Sequence, residues 1–91
     1  MIPKISNYGQ HKSPNYGVHT LNINMGKIEF YYSYETIVAY WDKKDGLVCS
    51  KNVWTVTTGK HLNWIEPDKS RRIENKKFQK MLEEATKRHT I

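Results

Sequence analysis

The sequence predicts an α+β fold: a twisted antiparallel sheet of four to five strands packed by a C-terminal α-helix, in two layers. Three observations carry this reading. Apolar and polar residues alternate in short runs between residues 20 and 50. Turn-forming residues separate those runs, and after Pro67 the apolar spacing changes from two to three and four.

Residues 1–17 hold Pro3, Gly9, Pro14 and Gly17 among Ser, Asn and Lys, without a helical or strand period. They read as an irregular N-terminal arm ahead of one α+β domain over residues 18–91. Leu21, Ile23 and Met25 alternate with Thr20, Asn22 and Asn24, which predicts a half-buried strand. Met25-Gly26-Lys27 reads as a tight turn. Ile28, Phe30, Tyr32 and Tyr34 then alternate with Lys27, Glu29, Tyr31 and Ser33 as the antiparallel return. The β-branched and aromatic run over residues 36–41 predicts a third strand. Asp42-Lys43-Lys44-Asp45-Gly46 is a strong turn signal, with Gly46 available for positive φ.

Residues 47–50 make the returning strand, and residues 53–56 are either a short fifth strand or the end of that meander. Thr57 or Thr58 then caps a single helical turn over residues 59–64, with Leu62 and Ile65 on one side. Over residues 71–88 Phe78, Met81, Leu82 and Ala85 recur at helical spacing. Glu83 with Lys87 and Glu84 with Arg88 are i,i+4 pairs in the favourable orientation.

Ninety-one residues form one small domain; 37% are hydrophobic and 12% aromatic, so large rings must supply much of the core. Trp41, Trp54 and Phe78 are expected inside. The alternation puts Tyr32 and Tyr34 with Phe30, which leaves Tyr8, Tyr16, Tyr31 and Tyr40 as candidates for stacking on unpaired bases. Cys49 is the only cysteine, so no intrachain disulfide forms and a reducing compartment suits the chain. No apolar leader follows Met1, and no run approaches the ~18–20 apolar residues of a membrane span. The expectation is a cytoplasmic protein, monomeric or homodimeric, without a membrane partner. Its net charge of +6 favours an anionic one.

The densest group of polar and cationic residues is Thr57-Thr58-Gly59-Lys60-His61, directly after a strand-like run. A threonine-capped helical turn presents backbone N–H groups, Lys60 adds a full charge, and His61 can donate to the same anion. The plain alternative is that the threonines cap the turn while His61 packs beneath the sheet. Lys69, Arg72, Lys76 and Lys80 recur at three and four residues. With Arg71 and Lys77 they make six basic side chains over residues 69–80 against the single acid Glu74. If the helix begins early enough these form one basic stripe, enough to position a phosphate backbone.

Together with Ser33-Tyr34-Glu35-Thr36-Ile37-Val38-Ala39-Tyr40, the Thr57–His61 segment resembles a small domain family of unknown function found in phages and prokaryotes. That family is marked by S-Y-x-T-x-V-A and, further along, T-T-x-K-H. The resemblance draws interest to Thr57, Thr58, Lys60 and His61 and implies no activity. It also raises the expectation that the Tyr34 hydroxyl shares a surface with His61.

His11, His19, His61, His89 and Cys49 show no metal-ligand spacing, and no cofactor is expected. Cys49 and His61 are the one thinkable nucleophile–base pair, with nothing in the sequence to orient it. The expectation is therefore a non-enzymatic, basic accessory protein that binds nucleic acid through Thr57, Thr58, Lys60, His61, Lys69, Arg71, Arg72, Lys76, Lys80 and Tyr34. The alternatives are a phage-encoded inhibitor of a host protein, such as a CRISPR or other defence nuclease, and a small ribonuclease using Lys60 and His61.

Overall fold

The computed structural model describes residues 4–8 and 20–89. Expectations for Tyr16, His11, His19 and the rest of the N-terminal arm lie outside the described residues. The elements are β1 (Lys4–Asn7), β2 (Leu21–Asn24), β3 (Ile28–Ser33), β4 (Thr36–Asp42), β5 (Gly46–Cys49), α1 (Val56–Ile65), a 3₁₀ turn (Lys69–Arg71) and α2 (Asn75–Arg88). The strands form one antiparallel sheet in the order β1-β2-β3-β4-β5, an uninterrupted meander.

The predicted turns are present. Gly26 and Gly46 both take positive φ, 92° and 73°, which a side chain would oppose. Asn24 Oδ1 accepts from the Gly26 N–H at 2.8 Å, and Asp42 Oδ1 accepts from the Asp45 N–H at 2.7 Å. These side-chain bonds close each hairpin locally.

Three elements differ from the sequence expectation. Residues Lys4–Asn7, read as part of an irregular arm, form the edge strand β1 with Ile5 opposite Ile23. The free edge of β2 supplies the pairing that local composition lacked. Residues 53–56 do not form a strand. Asn52 Oδ1 accepts from the Trp54 N–H (2.9 Å), while Asn52 Nδ2 donates to the Thr55 carbonyl (3.0 Å). Those bonds curl the chain, and Thr55, not Thr57 or Thr58, becomes the N-cap by accepting from the Thr58 N–H. The resulting helix is longer than the single turn expected.

The third difference concerns the start of α2. It begins at Asn75 instead of Arg71, because residues 72–74 are taken up by pairing with the end of β5. The Lys51 N–H donates to the Ile73 carbonyl (2.7 Å) and the Ile73 N–H to the Cys49 carbonyl (2.9 Å). Tertiary pairing overrides the helical spacing of the sequence there.

The sheet carries a helix on each face, three layers where two were expected, because residues 56–65 form a full helix that packs on the face opposite α2. Ile28, Tyr40 and Val48 pack with Phe78 and Ala85 of α2. Ala39 and Cys49 pack on the other side with Leu62 of α1. A β-bulge sets this up: Tyr31 faces Ala39 and Tyr32 faces Ile37, so Val38 is the extra residue. Val38 and Ala39 therefore both join the α1 side, while Ile37 and Tyr40 join the α2 side. Tyr40, expected at the surface, is fully buried, and its hydroxyl donates to Asp45 Oδ2 at 2.7 Å. Trp41, expected in the core, is exposed beside exposed Leu47, because α1 covers only the other end of that face. Trp54 and Phe78 are packed as expected.

Asp42 ends β4 fully buried and anchors the C-terminus of α2. Its carboxylate accepts from the Arg88 guanidinium and lies 3.1 Å from His89 Nε2. Burial alone would raise this carboxyl; the Asp45 N–H, His89 and Arg88 outweigh burial and hold it below the ordinary carboxylate value.

Candidate functional site

The two motif segments meet in space, at the joint between the β3–β4 turn and α1. Ser33 ends β3 facing α1, and its Oγ lies 2.6 Å from His61 Nδ1 and 3.0 Å from Thr58 Oγ1. Thr55 Oγ1 in turn donates to Thr58 Oγ1 at 3.3 Å. Each hydroxyl carries one proton. Thr55, Thr58, Ser33 and His61 Nδ1 thus form one continuous chain of hydrogen-bonding groups that links α1 to the end of β3.

Aromatic rings complete the surroundings of His61. Trp64 stacks on it at 5.6 Å, Tyr34 lies tilted at 5.7 Å, and Tyr8 meets it edge-on at 6.4 Å. The Tyr8 hydroxyl donates to the Tyr32 carbonyl at 2.5 Å. His61 is completely buried and Thr58 nearly so, which corrects their reading as anion contacts. The reason is spacing: on α1, Thr58, His61 and Leu62 fall on the side turned to the sheet.

Tyr34 does share this neighbourhood. It occupies the first position of the two-residue turn between Ser33 and Thr36, with φ 57°, so its ring stands over the joint and stays partly exposed. A tyrosine in the left-handed region is uncommon and is held there by the surrounding hairpin.

The opposite flank of α1 borders a basic cavity of about 530 Å3. Lys60 reaches it from α1, Lys69 and Arg72 from the segment around the 3₁₀ turn, and Lys51 from the exit of β5, with Asn52 and Asn63 between them. Lys60 and Lys69 are exposed, and Lys51 is ion-paired to Glu74 at 2.6 Å. Arg72 is nearly buried. Its Nη2 donates to Asn63 Oδ1 (2.7 Å) and to the Glu66 carbonyl (2.9 Å), and its Nε donates to that same carbonyl (3.1 Å). It thus closes the C-terminus of α1, where a cation also complements the helix dipole.

Of the residues singled out from the sequence, Lys60, Lys69 and Arg72 come together in the basic cavity, while Thr57, Thr58 and Tyr34 border a second cavity on the far side of α1. Lys76 and Lys80 are exposed on α2 and do not line either one, and Arg71 is exposed with Glu66 at 3.6 Å. The continuous stripe expected over residues 69–80 is absent, because Lys69 and Arg72 precede the helix.

Sequence reasoning did not single out Lys51, Asn52 and Asn63 at the cavity, nor Ser33 at the joint. Asn52 was legible as a strand-breaking Asx residue, and Ser33 as the serine of the first motif. The Cys49–His61 pair is not formed: Cys49 Sγ points to the Ser50 carbonyl, and His61 Nδ1 is bonded to Ser33. Burial pushes the Cys49 thiol up to about 11, against the lowering influence of Arg72.

Among the described residues no group of three or more His, Cys, Asp or Glu side chains is placed to hold a metal ion. Among them, too, no helix is long and apolar enough to cross a membrane. No curated protein and no solved structure matches this chain. A family does match across residues 4–80, which include both motifs, the joint and every residue named at the basic cavity. The chain therefore belongs to DUF8033, a family of unknown function.

Proposed function

We propose that this protein is a non-enzymatic accessory protein of a phage or prokaryotic cytoplasm that binds the phosphate backbone of a nucleic acid at the basic cavity beside α1. The observation that carries this reading is the convergence of Lys51, Lys60, Lys69 and Arg72, from three parts of the chain, on one cavity. The net charge of +6 acts in the same direction by favouring counterion release. Lys60 and Lys69 carry the contact, since Arg72 and Lys51 already have partners within the fold. A ribonuclease would need Lys60 and His61 to act on one phosphate, yet Lys60 faces the cavity and His61 is sealed against Ser33.

The test is a salt titration of binding to single- and double-stranded DNA and RNA. Affinity should fall steeply as salt rises. Lys60→Gln and Lys69→Gln should each flatten the logarithmic slope by roughly 0.7–0.9, the loss of about one phosphate contact. Absence of binding at low salt, where electrostatic affinity is strongest, defeats the proposal.

A second reading, a protein that binds and inhibits a host factor such as a defence nuclease, draws on exposed Trp41 and Leu47. They pair across β4 and β5 on the part of the sheet that α1 leaves uncovered. Copurification of a host protein that is lost with Trp41→Ser would favour it.

A further inference from the structure

We propose that the second cavity, at the start of α1, receives an unpaired nucleobase; this rests on the phosphate-binding reading and adds to it a requirement for single strands. The cavity measures about 390 Å3, within the ~300–1,000 Å3 range of small-molecule sites. Tyr34 and Trp54 border it beside the hydroxyl-bearing Thr36, Thr55 and Thr57, while the Ser33 and Thr58 hydroxyls beneath are bonded to each other. Among the described residues no charged side chain lines it. Such a lining suits a flat, neutral ring with hydrogen-bonding edges and does not suit a phosphate. Aromatic side chains stack on any base, because every base has a π-face.

The two cavities stand back to back across the first turn of α1. Val56 lines the basic one and its neighbour Thr57 the neutral one; Lys51 and Asn52 border the first, Trp54 and Thr55 the second. A strand lying over this turn has cations on one flank for its backbone and rings on the other for a base. The chain also holds the Tyr34 ring in place at some cost. The backbone is kept at φ 57°, while the Ser33–Thr58–His61 bonds fix the floor behind it. Strain that positions a partly exposed ring over a hydroxyl-lined cavity has a reason if that ring stacks on a ligand.

The experiment compares a dye-labelled single-stranded DNA oligonucleotide with an abasic oligonucleotide of equal length by fluorescence anisotropy at fixed low salt. The abasic strand keeps the phosphates and lacks the bases. The base-bearing strand should bind about tenfold tighter, the size of one stacking contact. Tyr34→Gly suits the test, since glycine accepts φ 57° and keeps the turn while deleting the ring. It should erase most of that tenfold difference and leave abasic binding unchanged. Thr57→Val, which keeps the side-chain shape, should reduce the difference in the same way.

Equal affinity of the wild-type protein for the two strands overturns the base site and leaves the phosphate reading standing. A Tyr34→Gly protein that weakens both strands alike also overturns it. Failure of the wild-type protein to bind either strand overturns both proposals.

Discussion

Ser33→Ala removes one oxygen from the joint that unites the two family motifs, and its cost can be worked out from the geometry. That oxygen is buried, 2.6 Å from His61 Nδ1 and 3.0 Å from Thr58 Oγ1. Each buried hydrogen bond contributes a net ~0.5–1.5 kcal/mol, and removing one partner leaves the other with a desolvation cost of ~1–3 kcal/mol. Two partners share Ser33, and relaxation recovers part of the loss, so the expected destabilisation is about 2–3 kcal/mol. For a domain of this size that lowers Tm by about 10–20 °C.

Urea unfolding followed by tryptophan fluorescence is the assay, helped by Trp64 stacking on His61. The midpoint should fall with the slope unchanged. A double-mutant cycle sharpens the test. Thr58→Val should cost less in the Ser33→Ala background than in the wild type, by about 1 kcal/mol, because the hydroxyl it removes has already lost its Ser33 partner. A Ser33→Ala loss under about 0.5 kcal/mol, or strict additivity of the pair, would refute the hydroxyl relay as a source of stability.

Other outcomes follow from the same geometry. Asp42 has its folded pKa below the ordinary 3.8, so its stabilisation is present above that value and is lost as pH falls through the lower, folded value. Asp42→Asn should flatten stability against pH in that acid range, measured by urea midpoints; an unchanged slope would deny the carboxylate this role. A Cβ on Gly59 would stand 3.1 Å from Asn52 Nδ2, which is committed to the Thr55 carbonyl. Gly59→Ala should therefore gain none of the ~1 kcal/mol that alanine normally brings to a helix interior, and a full gain would show that Asn52 yields freely. The buried Cys49 thiol, raised to about 11, should resist a thiol reagent at neutral pH in the folded protein and react promptly in urea. Rapid labelling of the native state would contradict its burial.

Much of the sheet was legible in advance. The alternation from Leu21 to Ser33, the glycine turns and the Phe78–Ala85 spacing each express a local preference that the tertiary contacts then reinforce. The site was legible only in outline. In the sequence Thr58 and His61 suit either an anion contact or a place beneath the sheet; the cap at Thr55, which sets the extent of α1, turns both toward the sheet. Lys69 and Arg72 join a helical stripe only if the helix begins early enough; Lys69 lies in the 3₁₀ turn and Ile73 pairs with β5 instead.

By itself, the sequence determined the class of the domain, its meander of strands, its C-terminal amphipathic helix and its positive charge. These follow from periodicity and composition, which act over neighbouring residues. Only the tertiary structure decided that β1 joins the sheet edge, that the bulge at Val38 divides the β4 side chains between two faces, and that α1 covers the face opposite α2. It also decided that Lys51, Lys60, Lys69 and Arg72 share one cavity. Those outcomes depend on pairing between segments distant in the chain, where the partner supplies hydrogen bonds and burial that no local pattern contains.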